Sequence, residues 1–177
     1  TSTATLAEFE SIQFIKSAGA WDLTGNQFAF GGISKGRPIL TILDHEKITQ
    51  EIPFKHMDEI YSPTWSPDGR YVAFSGLAGG KTDLYVYDLG SKSLRQLTDD
   101  LFADLQPSWS PDGHSIAFVT DRFGTDLSLL SYGNYELALI DPESGKISRL
   151  SGFPSAKNIN PQWAPDSKSL YFLSDRN

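Results

Sequence analysis

Tyr61-Ser-Pro-Thr-Trp65-Ser-Pro-Asp68-Gly69-Arg-Tyr-Val72-Ala73-Phe74 decides the fold, because relatives of it recur three more times in the chain. Aligned on tryptophan, the other copies read Trp21-Asp-Leu-Thr-Gly25-Asn-Gln-Phe28-Ala29-Phe30, Trp109-Ser-Pro-Asp-Gly113-His-Ser-Ile116-Ala117-Phe118 and Trp163-Ala-Pro-Asp-Ser167-Lys-Ser-Leu170-Tyr171-Phe172. Each has a large apolar residue seven positions after the Trp and a Phe at nine. A residue that recurs with a repeat serves the repeat's fold before it serves a unique chemistry.

Each copy reads as the first hairpin of a small sheet. In Pro67-Asp68-Gly69 and Pro111-Asp112-Gly113, Pro sets φ, Asp accepts bonds from the next backbone N–H groups, and Gly tolerates positive φ. The strand after the turn places Val72 and Phe74 on one face and Tyr71, Ala73 and Ser75 on the other. Phe30, Phe74, Phe118 and Phe172 are expected at equivalent buried positions, with Ala29, Ala73 and Ala117 permitting close approach from the opposite face. Ser167 replaces the turn Gly, at a cost of about 1 kcal/mol if its backbone is left-handed.

Working outward, the units keep their length. Trp21 to Asp44 and Trp65 to Asp88 both span 23 residues, whereas Trp109 to Asp141 spans 32. The nine additional residues fall between the second and third strands of the third unit and include Asp126-Leu-Ser-Leu-Leu-Ser-Tyr-Gly133. Four strand signals per unit, with no room for a packed helix, predict a four-stranded antiparallel meander. Units are expected at 10–53, 54–98, 99–151 and 152–177, the last incomplete. Residues 1–9 read as a lead-in, and Ile12 to Ala20 as a short strand entering the first Trp turn.

Composition bounds the class. The chain has 177 residues, 39% hydrophobic and 21% charged, enough for one domain with a real core. Its 22 acidic and 15 basic residues give a net charge of −7 without a Lys/Arg run, so nucleic acid is not an expected partner. No apolar stretch approaches the roughly 20 residues that cross a bilayer, so membrane insertion is not expected. The absence of Cys excludes disulfides and thiolate chemistry.

The motifs resemble the TolB-like, WD40-like β-propeller family. They are Pro63-Thr-Trp65-Ser-Pro-Asp-Gly69 with Leu84-Tyr-Val-Tyr-Asp-Leu89 and Leu97-Thr98, and Pro107-Ser-Trp109-Ser-Pro-Asp-Gly113 with Thr120-Asp-Arg122-Phe-Gly124. Pro161-Gln-Trp163-Ala-Pro-Asp166 and Ser174-Asp-Arg176 match less completely, and the resemblance runs from about Ala18 to Asn177. It implies an all-β fold, a single partial propeller of four-stranded antiparallel blades, about three complete plus half a fourth, round a channel. Family members normally have more blades, so additional blades or another chain are expected to complete the fold and cover its open sheet edges. The expected setting is periplasmic or extracellular.

Candidate sites are weighed against scaffold roles. Asp68, Asp112 and Asp166 hold the same turn in different units, which marks them as structural. Ser66 and Ser110 lie in those turns, and no Gly-x-Ser-x-Gly elbow appears, so neither is read as a nucleophile. The Trp65, Trp109 and Trp163 series reads as blade packing. His45, His56 and His114 lack metal-ligand spacing, and there is no phosphate loop or zinc signature, so neither metal nor cofactor is expected.

Arg122 and Arg176 each lie 13 residues after their Trp, while Asp104 and Asn158 each lie five before theirs. These recurrences point to loop bracing, with ligand contact as the competing role. Strand direction brings Asp104 and Asn158 to the face carrying Arg122 and the 125–134 insertion. Candidate partner contacts are therefore Asp104, Asp121, Arg122, Asp126, Leu127, Leu129, Leu130, Tyr132 and Asn158. The leucines and tyrosine would supply apolar area, unless they fold down over a sheet edge, and the charged groups would restrict the partner. The function read from this pattern is noncatalytic recognition of a protein or peptide. The alternatives are a substrate-organising propeller of a larger hydrolase, especially a peptidase, and a lyase acting on an acidic carbohydrate.

Overall fold

The computed structural model describes residues 11–12, 18–45, 47–150 and 156–176. Among them every regular element is a strand, and no helix is long and apolar enough to cross a membrane. The first sheet holds β1 (Ser11–Ile12), β2 (Ala20–Trp21), β3 (Gln27–Ser34), β4 (Arg37–Asp44) and β5 (Lys47–Pro53). Both β1 and β2 pair with β3, opposite β4, so they share one strand position. Phe14, within the entering strand expected from the sequence, lies outside the described residues.

The second sheet runs β6 (Glu59–Trp65), β7 (Tyr71–Ala78), β8 (Lys81–Asp88), β9 (Ser93–Gln96). The third runs β10 (Asp104–Trp109), β11 (Ile116–Thr120), β12 (Glu136–Ile140), β13 (Ile147–Arg149). In the fourth, β14 (Asn158–Trp163) pairs with β15 (Leu170–Ser174). All neighbours within the sheets are antiparallel meanders, the blade geometry of a partial propeller.

The period-2 pattern of the second strands explains how the blades stack. Val72 and Phe74 point into a core with Ala29, Leu40 and Ile42 of the first sheet, while Ala73 joins Ile116 and Phe118 of the third. β7 thus offers its large residues to the preceding blade and its alanine to the following one, as Ala29 of β3 and Ile116 and Phe118 of β11 do on the sides that face it. Backbone approaches backbone across these gaps: a Cβ on Gly31 would lie 2.8 Å from the Ile60 carbonyl oxygen. Phe30, Phe74 and Phe118 are buried, the last two fully. Phe172 departs from the expected equivalence and is only half-buried, because β15 has β14 as its single strand partner among the described residues.

The turn aspartates act as the repeat predicts. Asp68 Oδ1 accepts from Ser66 Oγ at 2.5 Å and Arg70 N at 3.1 Å, and Asp112 Oδ1 accepts from Ser110 Oγ at 2.6 Å and His114 N at 3.0 Å. Asp166 Oδ1 accepts from the N–H groups of Lys168 and Ser169, both at 2.9 Å. Gly69 and Gly113 have φ of 70° and 80°, and Ser167 adopts the same left-handed conformation at 56°.

These bonds hold the three carboxyls below the ordinary Asp value. The largest cause is the Ser66 hydroxyl for Asp68, the Ser110 hydroxyl for Asp112 and the Lys168 N–H for Asp166, each opposed by the smaller effect of burial. As pH falls, the unfolded chain therefore takes up protons first. The stability these turns contribute is complete above about pH 4 and is lost as pH falls through the lowered values. A variant with Asp68→Asn, Asp112→Asn and Asp166→Asn keeps the acceptors but cannot titrate. Its unfolding midpoint should change less than the parent's between about pH 5 and pH 3. Equal pH slopes would exclude the turn carboxylates as a source of acid sensitivity.

Candidate functional site

The insertion lies between β11 and β12, on the face that also carries the loops entering β10 and β14. Its neck is closed by backbone contact: a Cβ on Gly133 would come within 2.3 Å of the Gly124 carbonyl carbon, so no side chain fits there. Thr125 Oγ1 ties the neck by donating to Asp121 Oδ2 at 3.0 Å and accepting from Gly133 N at 3.0 Å. Above it, Asp126 and Ser131 exchange backbone bonds of 2.8 and 3.0 Å. Asp126 Oδ1 also accepts from the N–H groups of Ser128 and Leu129.

The tip turns its apolar side chains outward. Leu129, Leu130 and Tyr132 are 75%, 73% and 78% exposed, and Leu127 is 38% exposed. They do not fold down over a neighbouring blade. Leu130 has φ of 50°, a left-handed conformation that costs a branched L-residue about 1–2 kcal/mol. Strain of this kind persists where surrounding bonds over-determine the backbone, and it clusters at ligand-contacting segments.

Beneath the loop, Arg122 is the hub of a buried polar network. Its Nη2 donates to both carboxylate oxygens of Asp104, at 2.9 and 2.7 Å, and lies 3.1 Å from Asp100 Oδ2. Its Nε donates to Thr120 Oγ1 at 3.2 Å, and its guanidinium lies 5.6 Å from the centre of the Phe102 ring and 5.8 Å from that of Phe118. Asp104 is fully buried. Burial pushes its carboxyl above the usual value, and Arg122 partly offsets that effect.

Asp121 Oδ1 accepts from Ala103 N at 2.9 Å, just as Asp175 Oδ1 accepts from Lys157 N at 2.8 Å in the next unit. Asn158 is buried at the start of β14, where its N donates to the Tyr135 carbonyl at 2.8 Å and its Nδ2 to the Ala156 carbonyl at 3.0 Å. The structure therefore brings Asp104, Asp121, Arg122 and Asn158 to the base of the loop face and places Asp126, Leu127, Leu129, Leu130 and Tyr132 on its exposed tip.

Asp83 and Asp100 belong to the same network and were missed in the sequence. Asp83 is buried, and its carboxylate accepts from Thr98 Oγ1 and Asp100 N, both at 3.3 Å, and from Gln96 Nε2 at 3.2 Å. Burial raises its carboxyl, partly countered by the Asp100 N–H. Carboxylate oxygens of Asp83, Asp100 and Asp104 all lie within 4.8 Å of one another, close enough to share a divalent cation. Here two of the three already face the Arg122 guanidinium, which supplies the counter-charge. Such an arrangement holds loops in place, since its one strong cation is committed to carboxylates within the chain.

The first strands of all four blades line an axial cleft of about 640 Å³. Each of β6, β10 and β14 carries a bulge in its wall, and the residue before its proline is left-handed: Ser62 at 48°, Gln106 at 51° and Asn160 at 56°. Gln106 Oε1 accepts from Asn160 N at 2.8 Å, which links two of these bulges across the blade gap.

Meandering sheets stacked face to face, with their first strands along one cleft, define a β-propeller. The sequence profile of the TolB β-propeller domain (PD40) matches residues 11–127, and the chain belongs to this family. Among solved structures it is similar to a putative TolB from Agrobacterium tumefaciens, with a TM-score of 0.74, 20% identity, and coverage of 88% of this chain and 53% of that one. It is also similar to TolB from Acinetobacter baumannii, with a TM-score of 0.68, 22% identity, and coverage of 88% of this chain and 36% of that one. A prolyl endopeptidase shares the fold at a TM-score of 0.63 and 16% identity, over 90% of this chain and 24% of that one. The chain thus spans about a third to a half of the TolB structures. No curated protein matches the sequence significantly.

Proposed function

We propose that this chain is a noncatalytic recognition module that grips a protein or peptide through the tip of the 125–134 loop. The carrying observation is the pairing of exposure with order: Leu129, Leu130 and Tyr132 stand in solvent on a loop whose neck and tip are fixed by Gly124, Gly133, Thr125 and Asp126. A loop backbone already held in place loses little freedom on binding, which favours affinity. Asp104, Asp121, Arg122 and Asn158 then act as the support, and Asp126 as the charge nearest the partner. Membership in the TolB family supports a periplasmic or extracellular setting.

The committed state of the acidic and basic groups around Arg122 favours binding over chemistry. If the propeller instead organises substrate for a larger hydrolase, the same tip would line the approach to a separate catalytic domain. Replacing residues 125–134 by a short Gly-containing loop tests the reading once folding has been verified. The expected result is retained blade structure with loss of affinity for the native partner; unchanged affinity would reject the loop as the contact surface.

A further inference from the structure

On the face opposite the insertion, the turns of the second and third blades enclose a cleft of about 320 Å³ that breaks the repeat. Trp65 Nε1 donates across the blade gap to the Ala20 carbonyl at 3.0 Å, and Trp163 Nε1 to the Ser108 carbonyl at 2.9 Å. Trp109 does not follow them. Its Nε1 donates to the Gly113 carbonyl of its own turn at 3.2 Å, and its ring stacks on Tyr71 at 6.1 Å and 20°. Positions equivalent to Tyr71 hold Gln27, Ser115 and Ser169, so the second aromatic ring is particular to this gap. Both rings line the cleft.

The rim is acidic. Asp68, Asp112 and Glu143 line it, against the Arg95 guanidinium and the His114 imidazole, while the Arg70 guanidinium, paired with Asp88, lies 4.9 Å from the centre of the Tyr71 ring. Arg95 is itself particular to this blade: it pairs with Val86, where the corresponding strand positions hold Gln50 and Ser148. Its Nη2 donates to the Pro142 carbonyl, which fastens the two blades at the edge of the cleft. The hydrogen bonds described for Asp68 and Asp112 end on Oδ1, so the turns use one oxygen of each carboxylate. The same bonds lower both carboxyls further below neutral pH, where aspartate is ionised in any case. Glu143 is exposed.

We propose that this cleft receives a cationic side chain, lysine or arginine, from a partner polypeptide, with Trp109, backed by the Tyr71 ring on which Arg70 already lies, supplying aromatic surface and Asp68, Asp112 and Glu143 the counter-charge. An ammonium or guanidinium within about 6 Å of an indole or phenol ring is attracted by the ring quadrupole, and nearby carboxylates add directly to that attraction. A neutral apolar side chain of the same length gains only contact area. An anion would meet three carboxylates. The site lies across the molecule from the loop tip, so it does not depend on the reading of that loop.

The test uses the peptide acetyl-Gly-Lys-Gly-amide and its norleucine counterpart, titrated into the protein while the indole N–H resonances are followed by NMR. Trp109→Phe assigns the resonance that matters by its loss. The lysine peptide should shift the Trp109 indole saturably, with affinity falling as salt is added, and the norleucine peptide should not. Asp112→Asn with Glu143→Gln keeps an acceptor for the turn and should weaken lysine-peptide binding about tenfold, compared at a temperature where both proteins are folded because the lost turn carboxylate lowers the unfolding midpoint. The proposal is overturned if the lysine peptide leaves the Trp109 resonance unmoved, if both peptides shift it equally, or if the double variant binds as tightly as the parent.

Discussion

Phe118→Ala should lower the unfolding free energy by about 3–5 kcal/mol, measured as a shift in denaturation midpoint at constant slope. Phe118 is fully buried in the core that joins the second and third blades, among Ala73, Leu84, Val86, Ala138 and Ile140. Removing the ring forfeits its transfer free energy and leaves a cavity between two sheets that cannot collapse easily, because both are fixed by their own strand pairing. Phe172→Ala, in the equivalent half-buried position, should cost markedly less. Equal losses at the two sites would show that stability does not follow inter-blade burial.

Arg122→Met should be of comparable severity, about 3–5 kcal/mol at neutral pH, because it strands Asp104 in a site with no access to water. The defect should depend on pH in a defined direction. Without the guanidinium the Asp104 carboxyl rises further, so the folded variant keeps a proton that the unfolded chain has released. Stability is then lost as pH rises above the unfolded value, and the defect shrinks as pH falls toward about 4. Adding Asp104→Leu removes the unpaired charge and should recover much of the loss. If the double variant is no more stable than Arg122→Met, the buried carboxylate is not the source of the defect.

The core was legible because side-chain direction in a strand has period 2. Once Trp65, Trp109 and Trp163 fixed the frame, Phe74 and Ala73 were assigned to opposite faces from the sequence alone, and they fall in the two different inter-blade cores, Phe118 joining the core that holds Ala73. The limit of this logic is Phe172, whose position in the repeat says nothing about how many strands flank it. Trp109 shows a second limit. Its place in the repeat matches Trp163, but the neighbouring Tyr71 gives its ring a different stacking partner and the indole turns back to its own turn.

The polar network was half legible. Asp104 and Arg122 stood out because their spacing to Trp109 recurs in the next unit, at Asn158 and Arg176, whereas Asp121 stood out only as an acidic group near the insertion, although Asp175 repeats its bond. Asp83 did not, although a signal was present: it lies five residues before Asp88, and Glu136 lies five before Asp141. Each then meets a partner 13 residues on, Asp83 with Gln96 and Glu136 with Arg149. The first blade has Ile39 and Ile52 at these places, so the pair changes from apolar to polar between units and escapes a search for identical residues. The left-handed residues at Ser62, Gln106 and Asn160 were hidden too, since the prolines that follow them read equally well as ordinary strand entrances.

Leu130→Gly tests the recognition loop most directly, because it separates folding from contact at one residue. Glycine relieves the left-handed strain at φ 50° but adds freedom to the unfolded chain, so stability should lie between unchanged and about 1 kcal/mol higher. Affinity for the native partner, measured side by side with the parent by calorimetry, should nevertheless fall, since an exposed leucine has been removed from the contact surface. A variant that binds its partner as tightly as the parent, at equal or greater stability, would contradict the assignment of this tip to partner recognition.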